Sequence, residues 1–281
     1  MNDAGRREKL LRNLHAAEDA AQDFCTPIYA VDERGGPYLL GSGVLIDVAD
    51  ATYLATAAHV LDQNSDSNLY LPGNPLVALR GRAAKTRAPL GDRNEDSVDL
   101  GMVKLDKAIV ASVVQVNRIG ANDIDPSDSP RRFTGYGFAG YPSSQNKPRP
   151  GRKLRMSSSI VTVVPVEESR YAEVGAHPLI HFAGDFKRDA ILDRSGKRVT
   201  APDPHGMSGG GVWRLGRFQE LEHRSVKPSL IGIGIEFHKE NRLLLGIRAS
   251  FLVASLAACF SETASALPKL PAHIRVNVTC S

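Results

Sequence analysis

Short apolar segments separated by turn residues run through the chain from Pro27 onward. Residues 44–46 and 53–56, separated by the polar stretch 47–52, predict a β-hairpin. Further strands are predicted at 76–79, 100–105, 133–141, 160–166, 179–182, 230–235 and 242–247. Strands at this spacing with few helices are typical of an all-β sandwich or barrel pair, and not of alternating βαβ units.

Helical patterns occupy the two ends of the chain. Apolar positions among charges at residues 6–23 predict a short amphipathic helix that covers a barrel end or docks a partner. A short helix is predicted to begin at Ala57, and another spans 249–260. We therefore divide the chain into a helical extension (1–26), a main domain (27–262) and a tail (263–281). Within the main domain, residues 27–122 and 133–248 form two halves that a polar linker joins.

Composition limits the classes of function. The chain has 281 residues, 42% of them hydrophobic, and a formal charge of +4, which is weak evidence for nucleic acid binding. No secretory signal opens it, and its most apolar run, 251–260, is about half the ~20 residues that a bilayer requires. Its three cysteines have neither a disulfide nor a metal-site pattern. We expect a soluble cytoplasmic protein with no nucleic acid or membrane partner.

A candidate nucleophile lies late in the chain. Ser208 stands among four glycines in the segment Pro204-His205-Gly206-Met207-Ser208-Gly209-Gly210-Gly211. Glycines permit a tight turn with an exposed hydroxyl and with backbone N–H groups aimed at one point. Acyl transfer needs such donors because its tetrahedral intermediate carries a negatively charged oxygen. We expect the N–H groups of Gly206 and Ser208 to form this oxyanion hole.

A serine nucleophile also needs a base and an orienting carboxylate. His59 follows a predicted strand, and Asp99 heads an alternating apolar strand. Either residue alone has an ordinary structural interpretation, as a packed histidine or a turn aspartate. Together with Ser208 they fit the roles of general base, imidazole-orienting group and nucleophile.

These segments resemble the trypsin-like (chymotrypsin-fold) serine peptidases of the bacterial type without disulfides. The matching blocks are Gly41-Ser42-Gly43-Val44-Leu45-Ile46, Thr56-Ala57-Ala58-His59, Asp99-Leu100-Gly101-Met102-Val103-Lys104-Leu105, Gly140-Tyr141-Pro142 and Gly206-Met207-Ser208-Gly209-Gly210. The resemblance spans about residues 35–255. It implies two packed six-stranded antiparallel β-barrels with the site in the cleft between them, and a serine endopeptidase acting on protein or peptide substrates through an acyl-enzyme.

The chain departs from the family at several positions. It has no activation site of the Ile-Val-Gly-Gly type, and Met207 precedes the nucleophile where trypsins have an aspartate. The familiar activation salt bridge is thereby removed, which leaves open what holds the loop around Ser208. In the strand expected to line the substrate cleft, Ile235, Glu236 and Phe237 replace the usual small and aromatic residues. The loop 186–204 before the serine is a candidate gate.

Alternative functions remain open at this point. The segment around Ser208 also satisfies the Gly-x-Ser-x-Gly motif of α/β-hydrolases, but that fold requires an acid and a histidine after the serine. A catalytically silent or partner-gated module, with the N-terminal helix as its contact, is the main alternative, and ester cleavage at the same site is another. No cofactor or metal is expected, since the remaining histidines show no metal-like pairing.

Overall fold

Two β lobes form the body of the protein, and helices cover their ends. The computed structural model describes residues 3–271 except 66, 115, 128 and 148–155. The α-helices in this part of the chain are α1 (Asp3–Asp23), α2 (Ala58–Asp62), α3 (Lys107–Ser112), α4 (Phe218–Leu221) and α5 (Ala249–Cys259).

The first lobe is an open antiparallel sheet. Its strands are β1 (Cys25–Val31), β2 (Pro37–Val48), β3 (Ala51–Ala57), β4 (Tyr70–Leu71), β5 (Val77–Ala78), β6 (Gly81–Lys85), β7 (Leu100–Leu105) and β8 (Ile119–Gly120). They follow the order β5-β4-β1-β2-β3-β7-β6, and β8 pairs in parallel with β2. The expectation of a closed six-stranded barrel is corrected here: the sheet has eight strands and its end strands β5 and β6 are not paired with each other, so it forms a half-barrel.

The second lobe is a closed barrel of six strands. The strands of this half of the chain are β9 (Thr134–Gly140), β10 (Ser159–Pro165), β11 (His181–Asp185), β12 (Ile191–Leu192), β13 (Arg198–Val199), β14 (Gly211–Arg217), β15 (Ser229–His238) and β16 (Leu243–Arg248). All except β12 and β13 close the barrel in the order β10-β11-β16-β15-β14-β9. With this barrel, the half-barrel and the two terminal helices, the predicted chymotrypsin-like all-β fold is confirmed.

The core between the lobes comes from both sheets and from α5. Tyr53 of β3 and Phe260 after α5 are fully buried, and their rings meet edge to face at 5.0 Å between centroids. Trp213 of β14 and Leu252 of α5 are also fully buried in this cluster. Helix α5 is apolar around most of its surface, as expected for a helix that is packed on several sides.

Helix α1 lies against the second lobe. Its first turn carries Asp3, whose charge is favourable at a helix N-terminus. Ala17 and Ala21 on its apolar side are buried against the barrel, and the side chain of Asn13 donates a 2.6 Å hydrogen bond to the Leu221 carbonyl. The apolar side of the predicted helix therefore covers the barrel, and a partner contact through its remaining surface stays a prediction.

Some local features differ from the sequence-based expectations. The loop 186–204 contains the two-residue strands β12 and β13, which pair as a small hairpin. Seven described strands lie outside the predicted ranges: the longer β1, β6 and β14, which lack a clear alternation of apolar and polar residues, and the two-residue strands β4, β8, β12 and β13, which are too short to show one. The predicted tail lies outside the described residues from residue 272 onward.

Two cysteines differ in their state. Cys25 is a free, fully buried thiol, whereas Cys259 is disulfide-bonded. The expectation of a chain without disulfides is therefore wrong for Cys259. A cytoplasmic location stays a prediction. In the described part of the chain, no helix is long and apolar enough to cross a membrane.

Candidate active site

His59 reaches the cleft from the end of a strand. Strand β3 ends at Ala57 and α2 begins at Ala58, so His59 lies in the first turn of a short helix. Its Nδ1 atom lies 2.6 Å from Oδ2 of Asp99, and its side chain is 40% exposed. An ionised carboxylate only accepts hydrogen bonds, so this contact assigns the ring proton to Nδ1 and leaves Nε2 free to accept a proton.

Asp99 is held by the same turn that presents His59. Its Oδ1 accepts a 2.9 Å hydrogen bond from the backbone N–H of His59, and its carbonyl accepts one of 2.9 Å from Ala58. Its backbone has a φ of 44°, a left-handed conformation that an aspartate adopts more readily than most residues. Such strain persists where surrounding contacts determine the conformation. The side chain of Asp99, 12% exposed, is thereby fixed against the imidazole.

Ser208 lies in a glycine turn, residues 204–210, which we call the oxyanion loop. Gly206 and Gly209 have φ values of 89° and 85°, in the region that glycine adopts without strain. A Cβ on Gly209 would lie 2.1 Å from the Ser42 carbonyl oxygen, so this position also lacks space for a side chain. The positive φ angles at both positions, and the lack of space at Gly209, therefore require glycine.

His59, Asp99 and Ser208 line one cleft of about 940 Å³ between the lobes. The Ser208 hydroxyl donates to the carbonyl of Ile235 at 3.1 Å, and within the described residues it makes no hydrogen bond to His59. The structure thus brings His59 and Asp99 into direct contact and brings Ser208 into the same cleft. A serine hydroxyl changes partner by rotation between staggered rotamers, and such contacts are often loose before substrate binds.

The two N–H groups expected to form an oxyanion hole belong to consecutive turns of the loop around Met207. Within the described residues, neither the N–H of Gly206 nor that of Ser208 has a hydrogen-bond partner. The carbonyl on the other side of each of these peptide groups is bonded: His205 O accepts from Ser143 N at 2.7 Å, and Met207 O accepts from Gly210 N at 2.9 Å. Because N–H and C=O point in opposite directions in a trans peptide, both donors point away from these partners.

Ile235, Glu236 and Phe237 also line this cleft, and their role as substrate contacts stays a prediction. The pairing of β15 with β16 shifts register between Gly234 and Glu236, which takes the Ile235 carbonyl out of the ladder and makes it available to Ser208. The Glu236 carboxylate is 59% exposed and lies 3.1 Å from Nε2 of His238. The His238 ring, and to a smaller extent His59, hold the pKa of Glu236 below its usual range.

A narrow apolar pocket opens beside Ser208. Its free volume is only about 20 Å³, and it is walled in part by Phe138, Met207, Phe237 and Leu244. This space corresponds to about one or two water-sized spheres. Asp203 lines the larger cleft, and its carboxylate pairs with Arg188 at 3.3 Å. Asp203 therefore does not supply an unpaired charge to the narrow pocket.

His181 is a cleft residue that sequence reasoning missed. It lies at the start of β11, and its Nε2 donates a 2.6 Å hydrogen bond to the carbonyl of Ser97, two residues before Asp99. Burial lowers the pKa of its ring. The bond connects the second lobe to the loop that carries Asp99. No local signal marks it, since the partners are 84 residues apart.

Comparison with known proteins supports the fold. The sequence matches no protein-family model and no curated protein. Among solved structures, the chain is similar to neuropsin, a serine protease expressed in the limbic system of mouse brain. The TM-score is 0.50 at 14% sequence identity, over 82% of this chain and 91% of neuropsin. A likeness at this identity establishes a trypsin-like fold alone. No group of three or more metal-ligating side chains occurs in the described ranges.

Proposed function

We propose that this protein is a serine endopeptidase that hydrolyses peptide bonds through His59, Asp99 and Ser208. The observation that carries the proposal is the double contact of Asp99 with His59, at 2.6 and 2.9 Å, in a cleft that also holds Ser208. Two free N–H donors in the oxyanion loop add the remaining requirement of acyl transfer. A trypsin-like fold is consistent with this chemistry.

Each residue has a distinct role in the proposed reaction. The Ser208 hydroxyl leaves the Ile235 carbonyl and attacks the substrate carbonyl carbon, while Nε2 of His59 accepts its proton. The oxygen of the tetrahedral intermediate takes the negative charge and accepts from the N–H groups of Gly206 and Ser208. The intermediate collapses to an acyl-serine as the C–N bond breaks and His59 returns the proton to the amine.

Water completes the cycle by the same steps. His59 removes a proton from a water molecule, the hydroxide attacks the acyl-serine, and the proton then returns to the Ser208 oxygen as the acid product leaves. Asp99 stabilises the imidazolium in both halves and does not itself take up a proton. The freed Ile235 carbonyl is available to an N–H of an extended peptide.

Covalent labelling tests this proposal directly. We expect a fluorophosphonate probe to react with the purified protein and peptide mass spectrometry to locate the adduct on Ser208, because only an activated serine reacts at a useful rate. Protein heated to unfolding serves as the control. An adduct on any other serine would contradict the proposal. So would the absence of an adduct in a protein that also fails to cleave peptide and ester substrates.

The narrow pocket predicts the preferred substrate. With about 20 Å³ beside Ser208, the acyl side of the scissile bond should carry a small side chain such as alanine, and arginine or phenylalanine should be excluded. We expect kcat/KM for an alanine peptide to exceed that of the matched arginine and phenylalanine peptides by at least about 10-fold. Equal rates in a matched peptide series would show that the pocket does not select the substrate.

A partner-gated module is the second candidate. The bond from Ser208 to Ile235, in place of one to His59, is the observation that favours it. In that case labelling requires a bound protein, and the exposed side of α1 is the surface we would search first. Cytoplasmic location and the lack of nucleic acid or membrane partners stay predictions.

A further inference from the structure

The oxyanion loop needs a source of rigidity other than an ion pair. Met207 occupies the position where a carboxylate would form one, and its side chain is instead buried among apolar residues of the second barrel, including Tyr136, Phe138 and Val212. The Met207 N–H donates to the Pro204 carbonyl at 2.8 Å, but burial of one flexible side chain and this bond within the loop do not fix the direction of the Gly206 N–H. The orientations of the loop's peptide groups decide where the N–H donors point.

Ser42 of β2 bonds to the oxyanion loop on both sides of Met207. Its hydroxyl donates to the Gly206 carbonyl at 2.8 Å, and its backbone N–H donates to the Ser208 carbonyl at 2.8 Å. The same hydroxyl accepts from the N–H of Tyr141 at 2.8 Å, and Thr56 donates to the Ser42 carbonyl at 2.7 Å. Ser42 is fully buried, so each of these polar groups has its partner inside the protein.

Ser143 bonds to the preceding peptide group. The His205 carbonyl accepts from its N–H at 2.7 Å and from its hydroxyl at 3.0 Å. If the His205–Gly206 peptide rotated, this carbonyl would lose both donors and the N–H of Gly206 would leave its present direction. The fit is close, because a Cβ on Gly206 would lie 2.4 Å from the Ser143 hydroxyl oxygen.

We propose that Ser42 and Ser143 are the positioning residues of the oxyanion hole, which they keep formed through neutral hydrogen bonds without a salt bridge. The proposal rests on the proposed peptidase function for its kinetic consequence. Its structural content, the orientation of two consecutive peptide groups, does not depend on activity. Neither serine touches the reacting atoms. Ser143 holds the peptide that carries the Gly206 N–H, and Ser42 holds the next peptide, so their effect on kcat acts through the placement of the Gly206 donor.

The proposal is tested by the kinetics and the structures of two variants, Ser42→Ala and Ser42→Ala/Ser143→Ala. The matched control is Ser144→Ala, which changes the exposed serine next to Ser143. We expect kcat to fall about 10- to 100-fold with KM within about threefold, less than the ~10²–10³ that loss of a complete donor costs. Ser143→Ala alone retains the bond from the Ser143 backbone N–H to the His205 carbonyl, so its kcat should fall only about fivefold. Because Ser143 is only partly buried, we expect this variant to fold even if Ser42→Ala does not.

Crystal structures of the parent and of the folded variants provide the independent measurement. Rotation of the His205–Gly206 or Gly206–Met207 peptide in the variants, with the parent arrangement retained in Ser144→Ala, supports the proposal. Unrotated peptides, or a kcat equal to that of the parent, overturn it. If the parent is not labelled at Ser208 and cleaves nothing, the proposed function fails, and the peptide orientations alone then decide whether the two serines position the loop.

Discussion

Ser208→Ala is expected to lower kcat/KM by about 10⁴-fold or more while the protein stays folded. Alanine removes the nucleophilic oxygen and leaves the oxyanion loop unchanged, because the φ angles that shape the loop belong to Gly206 and Gly209. Among the described residues, the Ser208 hydroxyl makes one hydrogen bond, to the Ile235 carbonyl, and this bond lies in the cleft and not in the core. Initial rates on a peptide substrate and the thermal unfolding midpoint measure the two effects.

The matched control is Ser144→Ala, which removes an exposed hydroxyl at the position next to Ser143. It should match the parent in rate and in fluorophosphonate labelling. A Ser208→Ala protein that hydrolyses peptide at the parental rate would exclude Ser208 as the nucleophile, and the search would turn to other cleft residues.

Asp99→Asn is expected to lower kcat by about 10⁴-fold with little change in fold. Asparagine is nearly the same size and tolerates the left-handed backbone that Asp99 adopts at φ 44°. Its amide group cannot accept from both the backbone N–H and the Nδ1 of His59, so the imidazole loses its fixed tautomer and the charge that stabilises its protonated form. Single-turnover rates with a peptide ester and a peptide amide measure the loss.

Glu95→Gln is the control for charge removal, because Glu95 is an exposed carboxylate lining the same cleft. It should retain the parental kcat within about threefold, as is usual for a surface charge without a close partner. Equal effects of the two substitutions would mean that general cleft charge, and not the contact between Asp99 and His59, supports the reaction.

The local chemistry of the site could be read from the sequence. A histidine at a strand exit, an aspartate before an alternating strand and a serine among glycines each have a local signature, because residue type and short-range periodicity report backbone conformation. The hairpin of β2 and β3 was predicted for the same reason, and its register pairs Val44 with Ala55. The all-β class followed from the spacing of such segments.

Features that depend on the packing of distant segments could not be predicted from the sequence. The half-barrel form of the first lobe depends on whether its end strands β5 and β6 meet, and nothing local in either strand decides this. The free volume beside Ser208 is set by Phe138 and Leu244, which come from different strands of the second barrel. The free Cys25 and the bonded Cys259 likewise could not be told apart by spacing.

The sequence by itself determined the fold class and indicated the three residue types of the candidate site, because both follow from local sequence patterns. Only the tertiary structure decided how the oxyanion loop is held, because Ser42 and the Gly206 carbonyl are 164 residues apart and Ser143 and the His205 carbonyl are 62 apart. A hydrogen bond between such partners depends on the register of two sheets and on how the lobes meet. No short stretch of the chain contains that information.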